Sequence, residues 1–176
     1  MKPRRSRDLA IFGTALVVLA ADQISKYWVR RYLSPGLPWD PAAWLRPIMS
    51  LTYVTNTGAA FGLFPELGWF YTLVRAAVIA FILLFYRRLP TDRWLVRTSL
   101  GMELGGALGN LIDSLWHGRV IDFIDLNFWP LQEWPVFNLA DSSVVVGVCM
   151  LAVYLLLEKE PVASSSSALT DDDEHI

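Results

Sequence analysis

Four aspartates, each at one end of an apolar segment, are the groups in this sequence best placed to do chemistry. Asp22 closes the apolar core of the first segment, and Asp113 and Asp122 follow the third. Asp141 opens the fourth, within Phe137-Asn138-Leu139-Ala140-Asp141. Carboxyl groups gathered in semi-apolar surroundings can share a proton, one acting as base on a water and the other as acid. They then titrate as a pair and not as individuals. Ionisable groups at membrane depth are costly, so several near one level suggest a site.

Each of these residues also has a plainer reading. Gly106, Asn110 and Asp113 share one helical face at i, i+4, i+7, and the last two could simply bond across helices. Asn138 is a good N-cap, and an acid three residues on suits a capping arrangement and the helix dipole. Asp122 and Asp125, in Val120-Ile121-Asp122-Phe123-Ile124-Asp125, are flanked by apolar residues, and either could be a solvated loop acid. Residue types do not separate the two.

Other chemistries fit less well. His117 and His175 are the only histidines, and no Ser-x-x-Lys or His-Glu-x-x-His pattern occurs. The single cysteine, Cys149, lies in the last apolar run, which excludes a disulfide framework and a Cys-rich metal site. No metal or cofactor is expected.

The elements that must position the aspartates follow from composition. Of the 176 residues 54% are hydrophobic and 18% charged, against about 25% charged in a soluble domain. The pattern is that of an all-α integral membrane protein with four spans. They run from Leu9 to about Val29, from about Trp69 to Tyr86, from about Trp94 to Ile112, and from about Leu139 to Leu157. The first reaches about 30 Å at 1.5 Å per residue, enough for a bilayer core. Its start also imitates a secretory signal, but apolar character resumes after Asp22, so the segment is read as a retained span.

Basic residues set the orientation. Lys2, Arg4, Arg5 and Arg7 precede span one, and Arg87, Arg88 and Arg93 lie between spans two and three. The positive-inside rule puts both groups in the cytoplasm. Residues 30–68 and 114–136 then lie outside, and the four aspartates sit towards the extracytoplasmic face. In the outer loop, Pro35, Pro38, Pro41 and Pro47 exclude a long helix, Leu51–Thr55 is a strand candidate, and Asn56-Thr57-Gly58 reads as a turn. A small extracytoplasmic β-structured platform is expected there. Gly105 and Gly109 allow close approach of another helix. Glu103 is expected to pair with Arg75 of span two. Residues 1–158 form the membrane domain. Residues 159–176, serine-rich and acidic, are expected to be a disordered cytoplasmic tail. No basic patch suggests nucleic acid.

Together, these residues resemble the lipoprotein signal peptidases (signal peptidase II). Five blocks match in order: Asp22-Gln23 with Lys26; Asn56-Thr57-Gly58-Ala59-Ala60-Phe61-Gly62; Gly105-Gly106-Ala107-Leu108-Gly109-Asn110 with Asp113; Val120-Ile121-Asp122-Phe123; and Phe137-Asn138-Leu139-Ala140-Asp141. The resemblance implies a bacterial inner-membrane aspartyl endopeptidase. Such enzymes remove signal peptides from diacylglyceryl-modified prolipoproteins, cutting before the lipidated cysteine. It places the catalytic pair on Asp122 and Asp141, with Asp22, Lys26, Asn56, Gly58, Asn110, Asp113 and Asn138 shaping the site. One departure is Ser114, where the family usually has Arg; Arg119 is the candidate substitute. A monomer in contact with membrane lipids is expected. The competing reading is a proton-coupled transporter, although only Glu103 and Arg75 would extend a polar path deeper.

Overall fold

The computed structural model describes residues 4–56, 68–91 and 93–158. Among these described residues are four long helices and a three-stranded sheet. Helix α1 spans Arg4–Tyr32, and strands β1 (Pro38–Trp39) and β2 (Met49–Asn56) follow it. Helix α2 covers Gly68–Phe85 and ends in a single 3-10 turn, Tyr86–Arg88. Helix α3 covers Trp94–His117, strand β3 Val120–Leu126, and helix α4 Leu139–Leu157.

Three of the helices, α1, α2 and α4, are long and apolar enough to cross a membrane. They turn large apolar side chains outward, among them Leu16 and Ile24, Leu73 and Phe81, and Val145 and Leu156. The fourth expected span, α3, is helical but does not meet that measure. The reason is its position. Eleven of its 24 residues are buried, against two of nineteen in α4. Residues that would burden a lipid-facing helix, such as Glu103, Asn110 and Asp113, are therefore admitted where the surroundings are protein.

Glycines make that central position possible. A Cβ on Gly101 or Gly105 would stand 2.7 Å from Ile11 O or 2.6 Å from Ala15 O, both on α1. On Gly109 it would collide with the Asp22 carboxylate, and on Gly106 with Ala140 O of α4. The pair Gly105 and Gly109, expected to admit a neighbour, faces α1, and Gly101 extends the same stripe.

The sheet has order β1-β2-β3, antiparallel throughout. The strand expected at residues 51–55 is the middle of β2. Strand β3 falls where the sequence suggested only a loop between spans, because its apolar residues do not alternate cleanly with its polar ones. Both its faces are covered near its start, Val120 to Phe123 being buried in succession. Val29 of α1 packs with Ile121 and Phe123, joining the sheet to the helices.

Candidate active site

The site lies where the C-terminal half of α1, the C-terminal turns of α3 and the N-terminus of α4 meet β3. At its centre is Lys26, fully buried one helical turn after the equally buried Asp22. An ammonium has three N–H donors, and each finds an acceptor: Asp22 Oδ2 at 2.8 Å, Asp113 Oδ2 at 2.9 Å and Asn110 Oδ1 at 2.9 Å. Backbone N–H groups also donate to the two carboxylates. Asp22 Oδ1 accepts from Ala140 N at 3.0 Å, and Asp113 Oδ2 accepts from Ile121 N at 3.2 Å. Gln23 Nε2 reaches Asp22 Oδ2, Asp113 Oδ1 and Gly109 O, each at 3.2 Å. This ion-paired group ties α1 to α3, to the start of β3 and to the start of α4. Removing one partner of such a buried pair costs about 3–5 kcal/mol, because the other charge stays behind unpaired.

Above Lys26 sit Asp122 and Asp141, linked by two asparagines. Asn138 caps α4: its Oδ1 accepts from Asp141 N at 2.9 Å, and Asp141 Oδ2 accepts from Asn138 N at 3.3 Å. The capping role is thus real. Asn138 Nδ2 also donates to Asp122 Oδ1 at 2.7 Å and approaches Asn110 Oδ1 at 3.1 Å. Asn110 Nδ2 donates to Asp141 Oδ1 at 2.8 Å. One capping asparagine therefore touches both carboxyl-bearing residues. A backbone bridge keeps it there, since Phe137 exchanges hydrogen bonds with Ile124 and so pins the start of α4 to β3.

The strand separates the two acids that the sequence left equivalent. Asp122 and Asp125 are three residues apart on β3 and point to opposite faces. Asp122 is buried against Asn138, and the side chain of Asn56, last residue of β2, also bonds to it. Asp125 instead accepts from Thr52 Oγ1 at 2.8 Å within the sheet. Burial pushes the Asp122 carboxyl up to about 7, and repulsion from Asp141 adds to it. Donors on Asn138 and Asn56, and the charge of Lys26, pull the other way. Asp122 can therefore hold a proton near neutrality. Asp141 accepts from N–H donors on both oxygens at the N-terminus of α4.

Of the remaining sequence candidates, Gly58 lies outside the described residues. Arg119 is exposed and forms no ion pair among the described residues. The guanidinium at this level is Arg75 of α2, which donates to Ser114 Oγ at 2.8 Å. The expected pairing of Arg75 with Glu103 is therefore not found. Glu103 lies eleven residues before Ser114, about 16 Å along α3, and its Oε1 is buried without a hydrogen-bond partner among the described residues. Gln23 and Arg75 were not picked out as site residues from sequence. The only signals were the place of Gln23 beside Asp22 and the rarity of an arginine within an apolar run. His117 sits at the exposed end of α3 beside Arg30, whose guanidinium bonds to its Nε2.

Comparison with known proteins gives this arrangement its context. A family model, Peptidase_A8, described as Signal peptidase (SPase) II, matches residues 14–157. The chain belongs to the signal peptidase II family. It is 48% identical over 143 residues to the lipoprotein signal peptidase of Moorella thermoacetica, covering 81% of this chain and 90% of that one. To the lipoprotein signal peptidase of Thermodesulfovibrio yellowstonii it is 41% identical over 155 residues, covering 86% and 99%. Among solved structures, a bacterial membrane enzyme obtained by the in meso method at 2.3 Å superposes with a TM-score of 0.72 at 27% identity, covering 86% of this chain and 93% of that one. In this signal peptidase II chain the family match takes in every site residue named above, from Asp22 to Asp141. It ends at the last residue of α4.

Proposed function

We propose that Asp122 and Asp141 are the catalytic pair of this signal peptidase II, and that its substrates are prolipoproteins carrying a diacylglyceryl-modified cysteine, cut just before that residue. Removal of signal peptides from prolipoproteins by an aspartic-type bacterial membrane peptidase is the activity of the family. Nothing in the fold or the comparisons supports a transporter. The observation that carries the residue assignment is the link through Asn138, which bonds to Asp122 Oδ1 and caps α4 at Asp141.

Asp141, as the carboxylate, takes a proton from a water whose oxygen attacks the scissile carbonyl carbon. Asp122, as the acid, gives its proton to the carbonyl oxygen as negative charge develops there. The tetrahedral intermediate then collapses: the proton held by Asp141 passes to the leaving nitrogen, the C–N bond breaks, and the hydroxyl proton returns to Asp122. Both carboxyls end as they began.

The surrounding topology is part of the same reading. Helix α3 completes a set of four spans inside the three lipid-facing ones. Both termini are cytoplasmic, and the site opens at the extracytoplasmic face of the inner membrane beside the β-platform. The enzyme works as a monomer, with bilayer lipid against α1, α2 and α4. Purified enzyme incubated with lipidated and unlipidated forms of one prolipoprotein should cleave only the lipidated form. Asp122→Asn and Asp141→Asn should each abolish cleavage while the protein remains folded in the membrane. Robust cleavage by either variant would overturn the assignment.

A further inference from the structure

Helix α2 brings to the site a charge that the network of α1, α3 and α4 does not contain. Arg75 is half-buried, and its Nη1 donates to Ser114 Oγ at 2.8 Å. Ser114 in turn donates to Asn110 O at 2.8 Å. The guanidinium is thus anchored to the residue whose side chain holds both Lys26 and Asp141. No carboxylate lies within ion-pair distance of it among the described residues. Of the carboxylates around it, Asp141 exerts the strongest pull on the guanidinium, ahead of Asp122 and Asp113. An arginine inside an apolar helix is expensive, and the cost is bearable where it meets protein and not lipid.

Charge balance shows what it supplies. Among the described residues, the charged groups facing the aspartate pair are Asp22 and Lys26 from α1, Asp113 from α3, and Arg75 from α2; β2 contributes the neutral Asn56. With Asp122 protonated, three carboxylates remain, those of Asp22, Asp113 and Asp141. Lys26 is already committed to the first two. Among the described residues Asp141 has no ion-pair partner, only N–H donors.

We propose that Arg75 is a positioning residue of the peptidase site: held on Ser114, it supplies the second positive charge of the cluster, the one that balances Asp141. An arginine suits this task because it stays charged at every working pH. The proposal rests on Asp122 and Asp141 being the catalytic pair.

The test is the pH dependence of kcat and KM for the full-length enzyme in lipid vesicles with a lipidated prolipoprotein. Arg75→Met keeps the stem and removes the charge. It should lower kcat about tenfold or more at pH 6 with little change in KM. The acidic limb of the kcat profile should move up by about one unit or more, as expected when an opposite charge leaves a carboxylate's surroundings. Arg75→Lys should keep the limb near its original place. Arg75→Met combined with Ser114→Arg, which returns a guanidinium from the α3 side of the same contact, should recover kcat. If Arg75→Met yields no folded protein, Ser114→Ala, which detaches the guanidinium, should move the limb in the same direction. An unshifted acidic limb in Arg75→Met, or in Ser114→Ala where that variant stands in, overturns the proposal. So does a change confined to KM, which would make Arg75 a substrate contact. Asp141→Asn measured alongside separates the two levels. Activity there removes the catalytic pair itself, whereas an inactive Asp141→Asn with an unshifted Arg75 variant removes only the role of Arg75.

Discussion

Asp122 and Asp141 differ chiefly in what surrounds them. Asp122 is enclosed on β3, whereas Asp141 faces N–H donors at the start of a helix. The Asp122 carboxyl is raised from an ordinary 3.8 to about 7, so cleavage should fall as pH rises through about 7. A kcat/KM profile flat across that range would contradict the role proposed for Asp122 as acid. The same shift has a stability consequence. Between about pH 4 and pH 7 the folded chain keeps a proton that the unfolded chain has released, so this contribution is full below about 4 and is lost as pH rises through 7. At about 1.4 kcal/mol per unit, the difference approaches roughly 4 kcal/mol. Asp122→Asn, which cannot ionise, should therefore gain on the wild type in unfolding experiments as the pH is raised from 4 to 8. An unchanged difference between the two proteins would refute this.

At the scale of elements, the site depends on how closely α3 can approach its neighbours. Gly105 has Ala15 O 2.6 Å from where a Cβ would stand, and backbone cannot yield as a flexible side chain can. Gly105→Ala should push α1 from α3, pulling Asp22 and Lys26 away from Asn110 and Asp113. Overpacking of this kind costs about 1–3 kcal/mol. Gly13, on α1, has nothing within 4 Å, so Gly13→Ala should be neutral or gain up to about 1 kcal/mol of helix propensity. Thermal unfolding in detergent compares the two, and equal melting temperatures would show that the glycine stripe does not set the helix spacing. β3 and the start of α4 form the other half of the frame, joined at the Ile124–Phe137 bridge.

The molecule as a whole places its polar network towards one end and lipid-ready surface around three helices. The basic residues predict that this end faces outward. In a Cys149→Ala background, Trp44→Cys should react with an impermeant maleimide added outside intact inner-membrane vesicles of right-side-out orientation, and Thr91→Cys should not. The reverse pattern would invert the topology. Both sites are away from the aspartates, so each variant should still cleave substrate, which confirms that the labelled molecules are the active ones.

Much of this was legible in the sequence because hydrophobic effects are local in period and large in sum. The apolar runs gave the helices, and the order of polar residues along them put Asp22, Asn110, Asp113, Asn138 and Asp141 near one level. The motif resemblance ranked Asp122 above Asp125, but the residues alone could not, since both look alike without knowledge of the strand. That β3 exists, and turns the two acids to opposite faces, was settled by its pairing with β2 and by burial from α1. The sequence could not show that Lys26 is fully buried with three acceptors, because two of them, Asn110 and Asp113, lie on α3, 84 or more residues further along the chain. Nor could it show that Arg75 meets Ser114 and not Glu103. Depth along neighbouring helices decides that, and depth is fixed only when α2 and α3 pack together.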